Sequence, residues 1–268
     1  MNRRIFWGTL TALITVLPLA AQETGTSGQY SQEAQPRLFV PEARSGFKDG
    51  LRQPLNDAFY ARFEYPSRIK TGHRKGYKIL HYDYGQEKTE GYVWVIYSVY
   101  RFGQVTRCEV VRGLCPEIDK AVRLAVRQAS RDIDPGNRYN DAEYLQRFYI
   151  SADGSRQSRV QPGEAIYIRS EEPAQPQGGR EGLAAYVAGH MEYPQRSLEN
   201  GVSGTVEAEF IVDEEGLVEA GCVYSGTSAD LDRSALRLVA GIPPMTPARQ
   251  DGKPVKSWWT WPVVYRIR

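Results

Sequence analysis

The segment GTVEAEFIV at residues 204–212 decides the fold of the C-terminal part of this 268-residue chain. From residue 205 to residue 212 the side chains alternate between two faces, and one face carries only apolar groups, which predicts a half-buried strand. The sequence DEEG at 213–216 comes next, and its glycine can adopt the positive φ that a tight hairpin turn requires. The apolar run at 217–224 is therefore predicted to pair antiparallel with the first strand.

Helices flank this hairpin in the sequence. Residues 182–189 carry apolar side chains at helical spacing, which predicts a short helix before the hairpin. This helix is predicted to end before Tyr193-Pro194, because a residue that precedes proline disfavours the α region. A second helix is predicted from Asp230 to about Gly241, with acidic side chains near the positive end of its dipole.

These elements, and the glycines and prolines between them, resemble the C-terminal domain of TonB, the energy transducer of outer-membrane transport. The matching stretches are residues 178–183, 193–194, 200–206, 210–216, 231–237, 243–247 and 251–255. The resemblance implies a small antiparallel sheet with helices packed on one face. It also implies that the domain binds by adding a peptide strand from a receptor to a sheet edge.

A fainter form of the same pattern lies 113 residues earlier in the chain. The glycines that share this offset are Gly91, Gly103 and Gly113, which precede Gly204, Gly216 and Gly226. The segment VWVIYSV at 93–99 corresponds to VEAEFIV at 206–212, and IDK at 118–120 corresponds to LDR at 231–233. The extra length lies in a basic and aromatic insertion at residues 70–90. We therefore interpret the chain as two tandem copies of one module.

The predicted fold class is α+β, with two tandem TonB C-terminal-like modules, each a small antiparallel sheet with helices on one face. The predicted boundaries are a signal peptide at 1–21, a disordered tail at 22–46, a degenerate module at 47–152, a linker at 153–173 and a TonB C-terminal domain at 174–268. The first module lacks the Asn-Gly-Val-x-Gly entry of the second, so the binding behaviour of the family is not extended to it.

The two copies differ on the outward face of their first strand. In the second copy this face carries Glu207 and Glu209, whereas in the first it carries Trp94 and Ile96. Leaving two large apolar side chains in water forgoes roughly 1.5 to 3 kcal/mol each, so we expect something to cover them. The simpler explanation is that the insertion at 70–90 folds over this face. The alternative is that the other module or a partner packs there.

The N-terminus indicates the compartment. Residues 2–4 are basic at two of three positions, residues 5–19 are apolar, and small residues at 20–21 suit cleavage before Gln22. We therefore predict secretion to the periplasm through a cleaved signal peptide. No cysteine follows the cleavage site, which argues against a lipoprotein. If the leader were retained, it would instead anchor the protein in the inner membrane.

Composition and motifs exclude several function classes. The formal net charge is +2, and no basic stripe interleaves with aromatic residues, so nucleic acid is not expected as a partner. The histidines at 73, 81 and 190 are scattered, and no metal-ligand spacing, nucleophile motif or phosphate loop is present. We therefore expect no enzyme, no cofactor and no metal. Whether Cys108 and Cys115 form a disulfide is left open by the sequence.

The terminal strand, residues 255–267, is the best candidate functional surface. It contains Pro262, which cannot donate a ladder hydrogen bond, so we place the strand at a sheet edge. The residues that we assign to partner binding are Tyr193, Pro194, Trp258, Val264 and Arg266. Strand addition would use the backbone of this edge, with Trp258 and Val264 beside the peptide.

Three functions remain open at this point. The first is a periplasmic binding protein for an envelope protein or extended peptide, with an outer-membrane receptor as one candidate partner. The second is an energy transducer that couples an inner-membrane motor complex to outer-membrane receptors for transmembrane transport. The third is an assembly role in which a homodimer forms through the terminal strand.

Overall fold

The computed structural model describes residues 42–44, 51–67, 89–100, 104–133, 142–153, 164–223 and 226–267. The predicted leader and most of the insertion at 70–90 lie outside these ranges, as does the predicted tail apart from residues 42–44. Within the described ranges, no helix is long and apolar enough to cross a membrane.

In the described residues of the N-terminal half, 47–152, there are two helices and three strands, and a short strand precedes them. In chain order, the elements are β1 (Glu42–Arg44), α1 (Arg52–Arg62), β2 (Gly91–Tyr100), β3 (Gln104–Arg112), α2 (Pro116–Ala129) and β4 (Ala142–Ile150). Helix α2 begins with Pro116, and Glu117 and Asp119 lie in its first turn. Proline suits this position because it has no N–H to leave unpaired, and the carboxylates interact favourably with the helix dipole.

The described part of the C-terminal half, 174–268, contains three helices and five strands, and another short strand precedes it. These elements are β5 (Ile166–Arg169), α3 (Gly179–His190), α4 (Gln195–Glu199), β6 (Gly204–Val212), β7 (Val218–Val223), α5 (Ala229–Ala240), β8 (Ala248–Gln250), β9 (Lys253–Val255) and β10 (Ser257–Tyr265). The predicted hairpin is β6–β7. At its turn, Gly216 has φ +80°, and a Cβ there would lie 1.8 Å from the carbonyl oxygen of Met245. Only glycine therefore fits this turn.

Eight strands form one continuous sheet in the order β1-β5-β10-β6-β7-β4-β2-β3. Strands β8 and β9 form a separate hairpin. The halves meet where β4 pairs antiparallel with β7, from Glu143 opposite Val223 to Gln146 opposite Ala220. The prediction of two small sheets is therefore replaced by one shared sheet. Strand β1 lies in the segment predicted as a tail, and β5 lies in the segment predicted as a linker.

The two halves place their helices on opposite faces of the shared sheet. On one face, α1 and α2 cover the core of the N-terminal half, and this core also contains Ile211, Ala220, Cys222 and Trp258 of the C-terminal half. On the other face, α3 and α5 cover a core that contains Trp94, Ile96 and Leu145 of the N-terminal half. Each half therefore buries apolar side chains that belong to the other.

The apolar face of β2 is covered by the C-terminal half. Trp94 is 4% exposed and Ile96 is 1% exposed, and both belong to the core beneath α5. The indole Nε1–H of Trp94 donates to the carbonyl of Val218, on β7, at 3.0 Å. The alternative of module-to-module packing accounts for this face. The insertion, our preferred explanation, lies almost entirely outside the described residues.

Equivalent glycines carry equivalent contacts in the two halves. A Cβ on Gly113 would lie 2.2 Å from the carboxylate of Asp119, and one on Gly226 would lie 1.7 Å from that of Asp232. Each aspartate lies in the first turn of a helix, and its carboxylate packs closely against the glycine six residues before it. In the N-terminal half, the backbone N–H of Leu114 also donates to the carboxylate of Asp119 at 3.1 Å. This hydrogen bond connects the end of β3 to the start of α2.

The three cysteines are free thiols, so Cys108 and Cys115 do not form a disulfide in this structure. Cys108 lies on β3 and Cys115 lies just before α2. Burial raises the pKa of the Cys108 thiol to about 12, so it stays protonated at neutral pH.

Candidate partner-binding edge

Strand β10 is fully paired on one side and almost unpaired on the other. On its inner side it pairs antiparallel with β6 over its whole length, from Ser257 opposite Val212 to Tyr265 opposite Gly204. On its outer side, which faces away from β6, the only described strand pairing is that of Ser257 with Tyr167 of β5. The outer edge of β10 beyond Ser257 is therefore open within the described part of the chain.

The direction of the backbone groups along β10 follows from its proline. Pro262 lies opposite Glu207 in an unshifted register, and it has no N–H, so the two residues form a non-hydrogen-bonded pair. Pro262 and the residues two positions away on either side, Thr260 and Val264, therefore direct their backbone groups outward. Consistent with this alternation, the carbonyl of Lys256 also points outward and accepts the N–H of Tyr167 at 2.8 Å. The open edge offers N–H and C=O groups at Thr260 and Val264, and a C=O alone at Pro262.

The odd-numbered side chains of β10 close the core under α5. Trp259, Trp261, Val263 and Tyr265 all belong to this core or pack against it. Burial raises the pKa of the Tyr265 phenol to about 12, so this residue remains neutral in the core.

The predicted partner-binding residues on β10 have different environments. Trp258 is 9% exposed and belongs to the core shared with the N-terminal half, so its indole offers little surface to a peptide. Val264 is half-buried and Arg266 is exposed beyond the last paired residue. Of the three, Val264 and Arg266 are placed to meet a peptide on the outer edge.

Tyr193 and Pro194 do not lie together at that edge. The ring of Tyr193 packs edge-on against Tyr265, with ring centroids 5.5 Å apart, and its hydroxyl donates to the carbonyl of Val202. Tyr193 therefore supports the end of β10 from within. Pro194 lines a different cleft, with Arg107 and Cys108 of β3. The structure thus separates Pro194 from the other predicted partner-binding residues.

A buried group of four charges fixes the chain where β10 begins. Lys256 contacts both Glu164 and Glu219 at 2.8 Å, and Arg52 of α1 contacts the same two carboxylates, at 2.6 Å from Glu164. Burial alone would raise the pKa of Glu164, but its hydrogen bonds and attraction to Lys256 and Arg52 outweigh this and hold the pKa below its usual value. The cluster ties α1, β7 and the start of β10 together across the two halves.

This cluster was not predicted from the sequence. Its members lie far apart in the chain, from residue 52 to residue 256, and none belongs to a periodic motif. Only the pairing of strands brings them together. Within the described ranges, no group of three His, Cys, Asp or Glu side chains is placed to hold a metal ion.

Comparison with known proteins supports the resemblance for one part of the chain. Residues 189–267 match the family model described as Gram-negative bacterial TonB protein C-terminal. The matched segment runs from the end of α3 through β10 and contains the open edge. The match does not extend into the N-terminal half. The chain as a whole matches no curated protein and no solved structure. The protein therefore contains a TonB C-terminal domain at 189–267.

Proposed function

We propose that this protein is a non-enzymatic binding protein of the cell envelope, which takes up an extended peptide or a strand of a partner protein on the outer edge of β10. The observation that carries this proposal is the open edge itself, at Thr260 and Val264, within the segment that matches the TonB C-terminal domain. An extended peptide can pair with such an edge through main-chain hydrogen bonds. Arg266 adds an exposed positive charge beside it.

The N-terminal half is, in this proposal, a degenerate copy of the same module. Three observations support it. Apart from the short helix α4 and the hairpin β8–β9 in the C-terminal half, both halves run helix, hairpin, helix, strand, and in both the last strand pairs with the first strand of the shared hairpin, β2 or β6. Gly91 and Gly204 both begin a strand with positive φ, at +143° and +157°. The contacts of Gly113 with Asp119 and of Gly226 with Asp232 also match.

The two copies would not bind in the same way. The strand of the N-terminal half that corresponds to β10 is β4, which pairs with β2 on one side and with β7 on the other. Its outer edge is therefore occupied by the C-terminal half. A single chain would offer one such open edge, on β10.

The alternative is an energy transducer that couples an inner-membrane motor complex to outer-membrane receptors, with the leader kept as an anchor. What favours it is the same TonB C-terminal match. Intact mass and membrane fractionation of the protein from its native host separate the two. A chain that starts near Gln22 in the periplasmic fraction supports the binding protein, and a full-length chain in the inner membrane supports the transducer.

The strand-addition proposal can be tested with synthetic peptides that span the periplasmic segments of the host's outer-membrane receptors. Binding should slow hydrogen exchange at the amides of Thr260 and Val264. The variant Val264→Pro removes one outward N–H and should lower the affinity about fivefold, because a hydrogen bond contributes roughly 1 kcal/mol net. Thr260→Ala keeps the backbone and serves as the control. Binding that leaves both amides unprotected would show that the peptide does not use this edge.

A further inference from the structure

A second open edge lies at the opposite end of the sheet. Strand β3 is the last strand in the order, and within the described residues it pairs only with β2. Clefts of about 390 and 600 Å³ run between β3 and the segment α4–α5 of the C-terminal half. On the other face of the sheet, α2 packs against β3. The edge of β3 therefore forms the floor of a trough with a helical wall on each side.

The trough is basic. The two clefts are lined by five arginines, namely Arg107, Arg127, Arg196, Arg233 and Arg237, and by three carboxylates, namely Glu109, Glu143 and Asp230. All three carboxylates are already paired within the trough. Arg237 contacts Glu109 at 2.7 Å, and Arg233 contacts Glu143 at 3.0 Å and Asp230 at 2.5 Å.

Three of the five arginines, Arg107, Arg127 and Arg196, form no described ion pair with a carboxylate, although the charge of Arg107 also acts on Glu143. All three are exposed. Arg107 lies on β3 itself, Arg127 on α2 and Arg196 on α4, so positive charge reaches the edge from both walls and from the floor. Negative charge supplied from outside the chain would balance them.

The chain already contains an example of a strand added to this kind of edge. Strand β7 has the same place in the C-terminal half as β3 has in the N-terminal half, because each is the second strand of a hairpin that leads into a helix. The outer edge of β7 is occupied by β4, over the residues 220–223. Subtracting the offset of 113 places the corresponding positions on β3 at Arg107–Val110. Residues 107–109 of this stretch line the trough.

We propose that an acidic, extended peptide segment binds as an added strand along β3 at Arg107–Val110. Its carboxylates would face Arg107 on the floor, Arg196 on one wall and Arg127 on the other. A second copy of this chain is a poorer occupant, because its open strand β10 is flanked in the sequence by the exposed cations Lys253 and Arg266. The site is distinct from the edge of β10 and does not depend on the function proposed for that edge.

Fluorescence anisotropy on the purified full-length protein tests this proposal with three labelled peptides of equal length. The first alternates glutamate with valine, the second alternates lysine with valine, and the third alternates glutamate with proline. We expect the first to bind, the second not to bind, and the third to bind much more weakly, because proline cannot donate to a strand ladder. Hydrogen exchange should slow at residues 107–110 when the first peptide binds.

Substitutions locate the site. The double variant Arg107→Ser with Arg127→Ser should lower the affinity for the glutamate–valine peptide about fivefold, because each of the two exposed ion pairs contributes a little over twofold. The matched control, Arg169→Ser with Arg180→Ser, removes two exposed arginines elsewhere and should leave the affinity unchanged. Circular dichroism checks that both variants remain folded.

Three outcomes would overturn the proposal. Equal affinity for the proline-containing acidic peptide would mean that charge alone is recognised. An equal loss in the control variant would mean that net charge decides the binding. Binding to vesicles that contain phosphatidylglycerol, which the glutamate–valine peptide cannot displace, would assign the trough to a membrane surface instead.

Discussion

Strands β4 and β10 have the same place in the two halves of the molecule, yet their outer edges differ. That of β4 is filled by β7, whereas that of β10 is open from Thr260 to Val264. The first strands of the preceding hairpins, β2 and β6, also differ in whether their outward face is covered. At equivalent positions, β2 carries Trp94 where β6 carries Glu207, and the first is buried while the second is exposed. The last strand is thus paired on both sides in one half, and in the other half it is open on its outer side beyond Ser257 within the described residues.

The largest expected effect contrasts these two equivalent positions. Trp94→Ala should lower the free energy of unfolding by about 4 kcal/mol, because it leaves a cavity under α5 and removes the hydrogen bond to Val218. Glu207→Ala should change it by less than about 0.5 kcal/mol, since this side chain is exposed. Urea unfolding of the two variants measures both. Similar losses at the two positions would contradict the assignment of different roles to the two faces.

The next effect concerns the charges that join the halves. Arg52→Ala should cost about 3 kcal/mol, because it leaves Glu164 and Glu219 buried with only Lys256 to compensate them. Arg237→Ala breaks another ion pair between the halves, with Glu109, but both side chains are over 40% exposed. This control should cost no more than about 1 kcal/mol. Equal effects would show that the buried cluster contributes nothing beyond a surface pair.

The glycine–aspartate contacts test the equivalence of the halves directly. Gly113→Ala and Gly226→Ala should each lower the free energy of unfolding by about 2 kcal/mol, because the new Cβ overlaps a carboxylate and forces it to move. Gly189→Ala, in α3, is the control, since no atom lies near its Cβ and alanine favours a helix by up to about 1 kcal/mol. A large loss of stability for one glycine variant with none for the other would show that the two glycine–aspartate contacts are not equivalent. Thermal unfolding is sufficient to rank them.

The smallest effect depends on pH and concerns the C-terminal half. Burial, together with the nearby charge of Glu143, raises the pKa of Asp232 from 3.8 to about 7. The folded state therefore binds more protons than the unfolded state between these values, so the contribution of Asp232 to stability is present below pH 4 and is lost as the pH rises to about 7. Asp232→Asn should flatten this dependence and add about 1 to 2 kcal/mol at pH 8. A variant with the original pH dependence would show that another group titrates.

Much of the C-terminal half could be predicted because its signals are local. The alternation at 205–212 gave β6, the glycine turn gave the hairpin, and the helix that follows begins within a residue of the predicted Asp230. The short helix α4 and the strand β5 were missed. Helix α4 has only five residues, which is too short for a periodic pattern. Strand β5 has four residues, two of which are exposed.

The candidate site was predicted less well than the fold. The sequence placed the terminal strand at a sheet edge, and among the described residues β10 pairs with β6 along its whole length and with β5 only at Ser257. It could not show that Trp258 turns into the core beneath the N-terminal half, nor that Pro194 lies by β3. Both outcomes depend on packing between segments that are far apart in the sequence.

By itself, the sequence indicated the hairpin and two helices of the C-terminal half and the offset of 113 residues between glycines of the two halves, because alternation, turn chemistry and helix starts act over a few residues. Only the tertiary structure decided that β4 joins β7, that the helices lie on opposite faces, and that Trp94 is buried. The physical reason is that any strand can supply hydrogen bonds to a free strand edge, and any apolar surface can cover an apolar face. Which neighbour does so depends on how the whole chain packs.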